Sequence, residues 1–144
     1  MNANFKNSPI LLVEDNPYDV DLTLRAFKKQ NLTNNIVVAR DGEQAIRQIE
    51  MWNKGSAVPI IILLDLKLPK IDGLEVLRIF KTHPVYKTIP VVVLTSSSDD
   101  KDIERAYDFG VNSYIVKPVN FNKFMEVAAQ IELYWMALNN PKLF

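Results

Sequence analysis

The chain has 144 residues, 48% of them hydrophobic and 24% charged, a length that suits one domain burying about 68–70% of its unfolded surface. Seventeen Lys and Arg balance seventeen Asp and Glu, which leaves no global field to draw the protein onto DNA or an anionic membrane. There is no cysteine, no apolar run of about 18 residues, and only a polar stretch from Met1 to Ser8, which excludes disulfides, thiolate metal sites, a membrane span and a signal peptide and makes a cytoplasmic globular protein the expectation.

The first apolar run, Ile10–Val13, has the length of a buried strand and ends in Glu14-Asp15. Asn16 follows as a helix cap, Pro17 suits the first helical position, and Asp19 and Asp21 sit near the positive end of the helix dipole. Val20, Leu24 and Phe27 are the expected apolar face of this helix, and Lys28-Lys29 complements its negative end. Ile36–Ala39 reads as a second strand, followed by an Asp41-Gly42 turn. The third strand, Ile60–Leu64, ends in Asp65; the fourth, Val91–Leu94, ends in Thr95; the fifth, Ser113–Val116, ends in Lys117. His83, before Pro84 at a helix end, reads as structural.

The last helix is predicted from Phe121 to Leu138, with Phe121, Phe124, Met125, Ala128, Ile131, Trp135 and Leu138 on its core face. Val127, Leu133 and Tyr134 fall off that stripe and are candidates for a contact surface. Residues 1–8 and 139–144 read as irregular tails, since Pro141 stops the helix.

Short apolar runs alternating with helical segments argue for an α/β fold whose parallel sheet is buried on both faces. In such sheets ligands bind outside the carboxyl ends of the strands, where Glu14, Asp15, Asp65, Thr95 and Lys117 all fall. Three carboxylates packed together repel one another unless a cation compensates. Mg²⁺ fits, being held by one or two carboxylates plus phosphate, whereas the lack of cysteine and the single His83 leave zinc and copper without ligands. No GxGxxG or GxxxxGK[ST] occurs. A carboxylate beside a metal and a lysine is placed to attack a phosphoryl group, so Asp65 becomes a candidate nucleophile, with Thr95 able to donate to a phosphoryl oxygen.

The order Glu14-Asp15, then Asp65-Leu66-Lys67-Leu68-Pro69-Lys70-Ile71-Asp72-Gly73, then Leu94-Thr95-Ser96 and Lys117-Pro118 resembles the receiver domain of two-component response regulators over nearly the whole chain. The stretches Ile89–Thr95 and Tyr114–Val119, with Tyr134-Trp135, look most like the single-domain regulators paired with cyanobacterial phytochromes. The resemblance implies a flavodoxin-like (βα)5 sandwich with sheet order 2-1-3-4-5, one receiver domain over 1–144 and no output domain.

It implies further that Asp65 is the phosphoacceptor and that the donor is a sensor histidine kinase, of phytochrome type. Asp15, Asp65 and the main-chain carbonyl of Lys67 would ligate Mg²⁺, with Glu14 acting through water. Lys117 and the main chain of Ser96 would contact the phosphoryl group, Thr95 and Tyr114 would form the switch, and the Lys117-Pro118 peptide would be cis. Such a protein is a phosphoacceptor that catalyses only its own phosphorylation and dephosphorylation. Its output would be a changed surface on the fourth helix, fifth strand and fifth helix, used for homodimer formation, with no DNA or membrane contact.

The two positions that commonly tune hydrolysis in this family correspond to Lys67 and Ser97, neither an acid nor an amide, so a persistent phosphorylated form is expected. A phosphatase of the haloacid dehalogenase type would need an acid where Lys67 stands. A non-phosphorylated binding module on the same fold is the other alternative.

Overall fold

The computed structural model describes residues 8–117 and 120–139, with side chains to residue 133. Five strands alternate with five helices: β1 (Ile10–Val13), α1 (Pro17–Lys29), β2 (Ile36–Ala39), α2 (Gly42–Asn53), β3 (Ile61–Leu64), α3 (Gly73–Thr82), β4 (Val91–Thr95), α4 (Asp100–Asp108), β5 (Ser113–Val116) and α5 (Phe121–Asn139). A 3-10 turn, Tyr86–Thr88, separates α3 from β4. The strands form one parallel sheet in the order β2-β1-β3-β4-β5, the order that the receiver-domain resemblance implies.

Side chains alternate across a strand, and the apolar runs therefore feed two cores. Leu11, Val13, Ile62, Leu64, Val91 and Val93 face the side that also buries Trp52, Val76, Leu77 and Phe80 of α2 and α3. Ile10, Leu12, Ile61, Leu63 and Leu94 face the other side, with Phe27 of α1 and Phe124, Val127, Ala128 and Ile131 of α5. Each large apolar side chain fully buried there is worth about 1.5–3 kcal/mol in removed surface.

The expected start of α1 is observed: Pro17 is its first residue, and the Asn16 side chain accepts from the backbone N–H groups of Tyr18 and Asp19. Its apolar face is rotated from the expectation. Val20, Leu22, Thr23, Ala26 and Phe27 are buried while Leu24 is 38% exposed, because the buried arc centres on Thr23 and leaves Leu24 at its margin. In α5, Val127 is buried rather than off the stripe, Phe121 and Met125 are half-buried, and Leu133 is 66% exposed. Packing between the sheet and α1 widens the covered face of α5 beyond a single stripe. The side chains of Tyr134, Trp135 and Leu138, and the Pro118 and Val119 positions, lie outside the described residues.

Two glycines open helices where a side chain could not fit. A Cβ on Gly73 would sit 2.3 Å from Leu66 Cα, and one on Gly42 would sit 2.4 Å from the Ile71 carbonyl oxygen. The N-termini of α2 and α3 thus press on the loop between β3 and α3, and the Gly73 N–H donates to the Leu66 carbonyl at 3.1 Å. His83 ends α3, its Nδ1 accepting from the backbone N–H groups of Val85 and Tyr86. Among the described residues no helix is long and apolar enough to cross a membrane.

Candidate functional site

Backbone bonds carry the strand ends to a common level. Glu14 donates its N–H to the Ala39 carbonyl at 2.9 Å, Asp65 to the Val13 carbonyl at 3.0 Å and Lys117 to the Thr95 carbonyl at 2.7 Å. One side chain from each of β1, β3 and β5 is thereby aimed into one cleft of about 530 Å³, whose lining includes Asp15, Asp19, Asp65, Lys67, Ser96 and Lys117.

Asp65 is buried, and both its oxygens are held. Oδ1 accepts from the Lys67 backbone N–H at 3.0 Å, and Oδ2 accepts from Lys117 Nζ at 3.2 Å. Lys117 Nζ also donates to Glu14 Oε1 at 2.6 Å and to Asp19 Oδ2 at 2.8 Å. Burial works against this ammonium, but its hydrogen bonds to Asp19 and Glu14 and the charges of Glu14 and Asp65 prevail and raise its pKa. Lys117 is therefore a fixed positive charge.

Glu14 behaves oppositely. Burial pushes its carboxyl up to about 7, the Lys117 hydrogen bond opposing and the nearby Asp65 charge reinforcing the rise. One ammonium does not neutralise the carboxylates that face it. Oxygens of Glu14, Asp15 and Asp65 all lie within 4.8 Å of one another, with Asp15 exposed and the other two buried. An all-oxygen set short of positive charge, open on one side, fits a hard divalent cation that keeps some of its waters.

Thr95 is fully buried, and its Oγ1 accepts from the Ser97 backbone N–H at 3.3 Å. Tyr114, half-buried, donates its hydroxyl to the Ser97 carbonyl at 2.8 Å, and burial raises its pKa. Ser97 Oγ in turn donates to Asp102 Oδ2 at 2.5 Å. Ser97 thus links the fourth strand, α4 and β5.

Every sequence-predicted site residue in the described region reaches this edge of the sheet: Glu14, Asp15, Asp65, Lys67, Ser96 and Lys117 at the cleft and its acidic cluster, Thr95 and Tyr114 beside it. The expected cis peptide involves Pro118 and falls outside the described residues. Asp19 was expected only as a dipole residue and instead lines the cleft and pairs with Lys117. Asp15 precedes the Asn16 cap and lies outside α1, so helical spacing does not relate it to Asp19, and no local signal marks Asp19 for the cleft. The Ser97–Asp102 bond has no sequence signal, since the cap of α4 is Asp99 and Ser97 lies two residues before it.

The family model for the response regulator receiver domain matches residues 10–129. The probable methanogenesis regulatory protein FilR2 of Methanothrix harundinacea is 43% identical over 131 residues, which span 90% of this chain and 84% of that protein. The crystal structure of the phosphorylated cyanobacterial phytochrome response regulator RcpA superposes with a TM-score of 0.80 at 38% identity, over 92% of this chain and 96% of its own. The Mn²⁺-bound form of response regulator Rcp1 gives 0.78 at 38% identity, over 89% and 94%.

Proposed function

The chain belongs to the response regulator receiver family, and from that premise we propose that it accepts a phosphoryl group on Asp65 from the phosphohistidine of a sensor histidine kinase. The observation that carries this reading is Asp65 itself, oriented by the Lys67 N–H and Lys117 Nζ within the cluster it shares with Glu14 and Asp15. An Asp65 oxygen forms the bond to phosphorus as the nitrogen–phosphorus bond breaks, its electron pair leaving with the imidazole. Lys117 offsets charge on the phosphoryl oxygens, and the Ser96 main chain contributes a donor. Asp15, Asp65 and the Lys67 carbonyl would hold Mg²⁺, with Glu14 acting through water; the ion supplies further neutralisation of phosphoryl charge. That the similar regulator Rcp1 has a Mn²⁺-bound form supports a divalent ion as the cofactor.

Position 67 carries Lys67 and not the carboxylic acid that a phosphatase of the haloacid dehalogenase type uses to protonate its leaving group, so turnover of external phosphate esters is not part of the reading. The kinase is assigned to the phytochrome type on the likeness to RcpA.

The signal runs through Thr95 and Tyr114. Turning the Thr95 hydroxyl toward a phosphoryl oxygen gives up the Ser97 N–H, and the Ser97 carbonyl is the acceptor that holds Tyr114. The α4-β5-α5 surface would change with them. Tyr107, Val116 and Leu133, 52%, 40% and 66% exposed, give that surface apolar contacts suited to a homodimer. Transfer of radiolabelled phosphate from a phytochrome-type kinase to the wild-type chain, absent in Asp65→Asn, tests the reading; no transfer from any such kinase would remove the phytochrome assignment.

A further inference from the structure

We infer that Asp19, in the first turn of α1, is a positioning residue that holds Lys117 during phosphoryl transfer, an inference resting on the proposed role of Asp65. An ammonium has three N–H donors, and those of Lys117 meet Glu14 at 2.6 Å, Asp19 at 2.8 Å and Asp65 at 3.2 Å. Two of these partners have other demands on them. Asp65 is the group that becomes an acyl phosphate, and Glu14 belongs to the cation cluster. Asp19 is outside that cluster, and Lys117 is its only ion-pair partner among the described residues. It is the one carboxylate free to keep the ammonium in place throughout.

A dipole residue in a first turn is ordinarily solvated. The Asp19 side chain is instead 19% exposed and reaches a partner 98 residues away. Its backbone is pinned as well, the N–H donating to Asn16 Oδ1 at 3.3 Å and the carbonyl accepting from Thr23 Oγ1 at 2.7 Å. A rigid helix start thus fixes the flexible Lys117 stem, which is the form preorganisation takes in a site where position sets rate. In the reaction an Asp65 oxygen bonds to phosphorus as the donor's bond to phosphorus breaks, the electron pair leaving with the donor. The ammonium then moves one hydrogen bond from the Asp65 carboxylate to a phosphoryl oxygen while its bond to Asp19 persists.

The test compares wild type, Asp19→Ala and Asp19→Asn in two measurements: phosphorylation by acetyl phosphate with Mg²⁺ across donor concentrations, and the ¹H–¹⁵N signal of the Lys117 ammonium in metal-free protein. Asp19→Ala is expected to lower the maximal rate about tenfold or more with half-saturation unchanged, and to lose the ammonium signal to solvent exchange. Asp19→Asn keeps an acceptor oxygen and is expected within about threefold of wild type, its signal retained. If Asp19→Ala does not fold, Asp19→Ser, whose oxygen is too short to reach, replaces it. An unchanged rate and signal in the truncated variant would overturn the inference in favour of a dipole role, and equal losses in both variants would overturn it in favour of charge alone. A wild-type chain inert to acetyl phosphate would overturn the proposed function, and this inference with it, before any variant is compared.

Discussion

The Tyr114 hydroxyl donates to the Ser97 carbonyl at 2.8 Å, so the aromatic ring of β5 is tied to the loop that begins α4. The same Ser97 donates its N–H to Thr95 Oγ1 and its hydroxyl to Asp102. A rotation at Thr95 therefore has a physical route to both α4 and β5. Tyr114→Phe removes one end of that route while conserving volume. The metal-free protein is expected to lose about 0.5–1.5 kcal/mol in urea unfolding. An unchanged midpoint would mean the bond is not formed in solution.

Lys67 has its N–H on Asp65 and an exposed side chain that is neither acid nor amide. It offers no group to orient an attacking water, and the acyl phosphate is expected to persist. Lys67→Asn should shorten its lifetime, measured as decay after the donor is removed. An equal or longer lifetime in the variant would contradict the role given to this position.

Glu14 makes metal-free stability depend on pH. Its carboxyl titrates near 4.5 when unfolded and is pushed up to about 7 in the fold, chiefly by burial. Between those values the folded chain holds the proton that the unfolded chain has lost, so stability falls as pH rises. The stabilisation is fully present below 4.5 and is lost as pH passes 7. Mg²⁺ should restore thermal stability in the upper part of that window and have little effect at its acid end. Glu14→Gln should flatten the metal-free profile; a profile of unchanged slope in that variant would assign the effect to another group.

Gly73 and Gly55 separate packing from backbone strain. A Cβ on Gly73 would strike backbone atoms of Asp65 and Leu66, the loop that carries the proposed acceptor, while Gly55 has open space but a φ of +105°. Gly73→Ala is expected to cost about 2–3 kcal/mol and slow phosphorylation; Gly55→Ala should cost about 1–2 kcal/mol and leave phosphorylation alone. Equal effects on phosphorylation would show that Gly73 does not position the acceptor loop.

Much of this was legible in the residue order. Four apolar runs ending in polar residues located the sheet edge, because a strand buried on both faces must be apolar throughout and change character where it emerges. Asp65, Glu14, Asp15 and Lys117 followed from that alone. What periodicity missed were facts of tertiary packing. Leu24 is exposed and Val127 buried because the α1·α5 contact sets the width of each helix's covered arc. Asp19 looked like a dipole residue because nothing local marks a bond to a lysine at the far end of the sheet. The Ser97, Asp102 and Tyr114 contacts join residues whose spacing carries no local motif.

The most direct measurement locates the phosphoryl group. After incubation with acetyl phosphate and Mg²⁺, borohydride reduction converts an aspartyl phosphate to homoserine, and peptide mass spectrometry reads the position. The expected result is homoserine at position 65 alone, with none when Mg²⁺ is removed. Homoserine at any other acid, or no conversion anywhere in the folded wild-type chain, would contradict Asp65 as the phosphoacceptor.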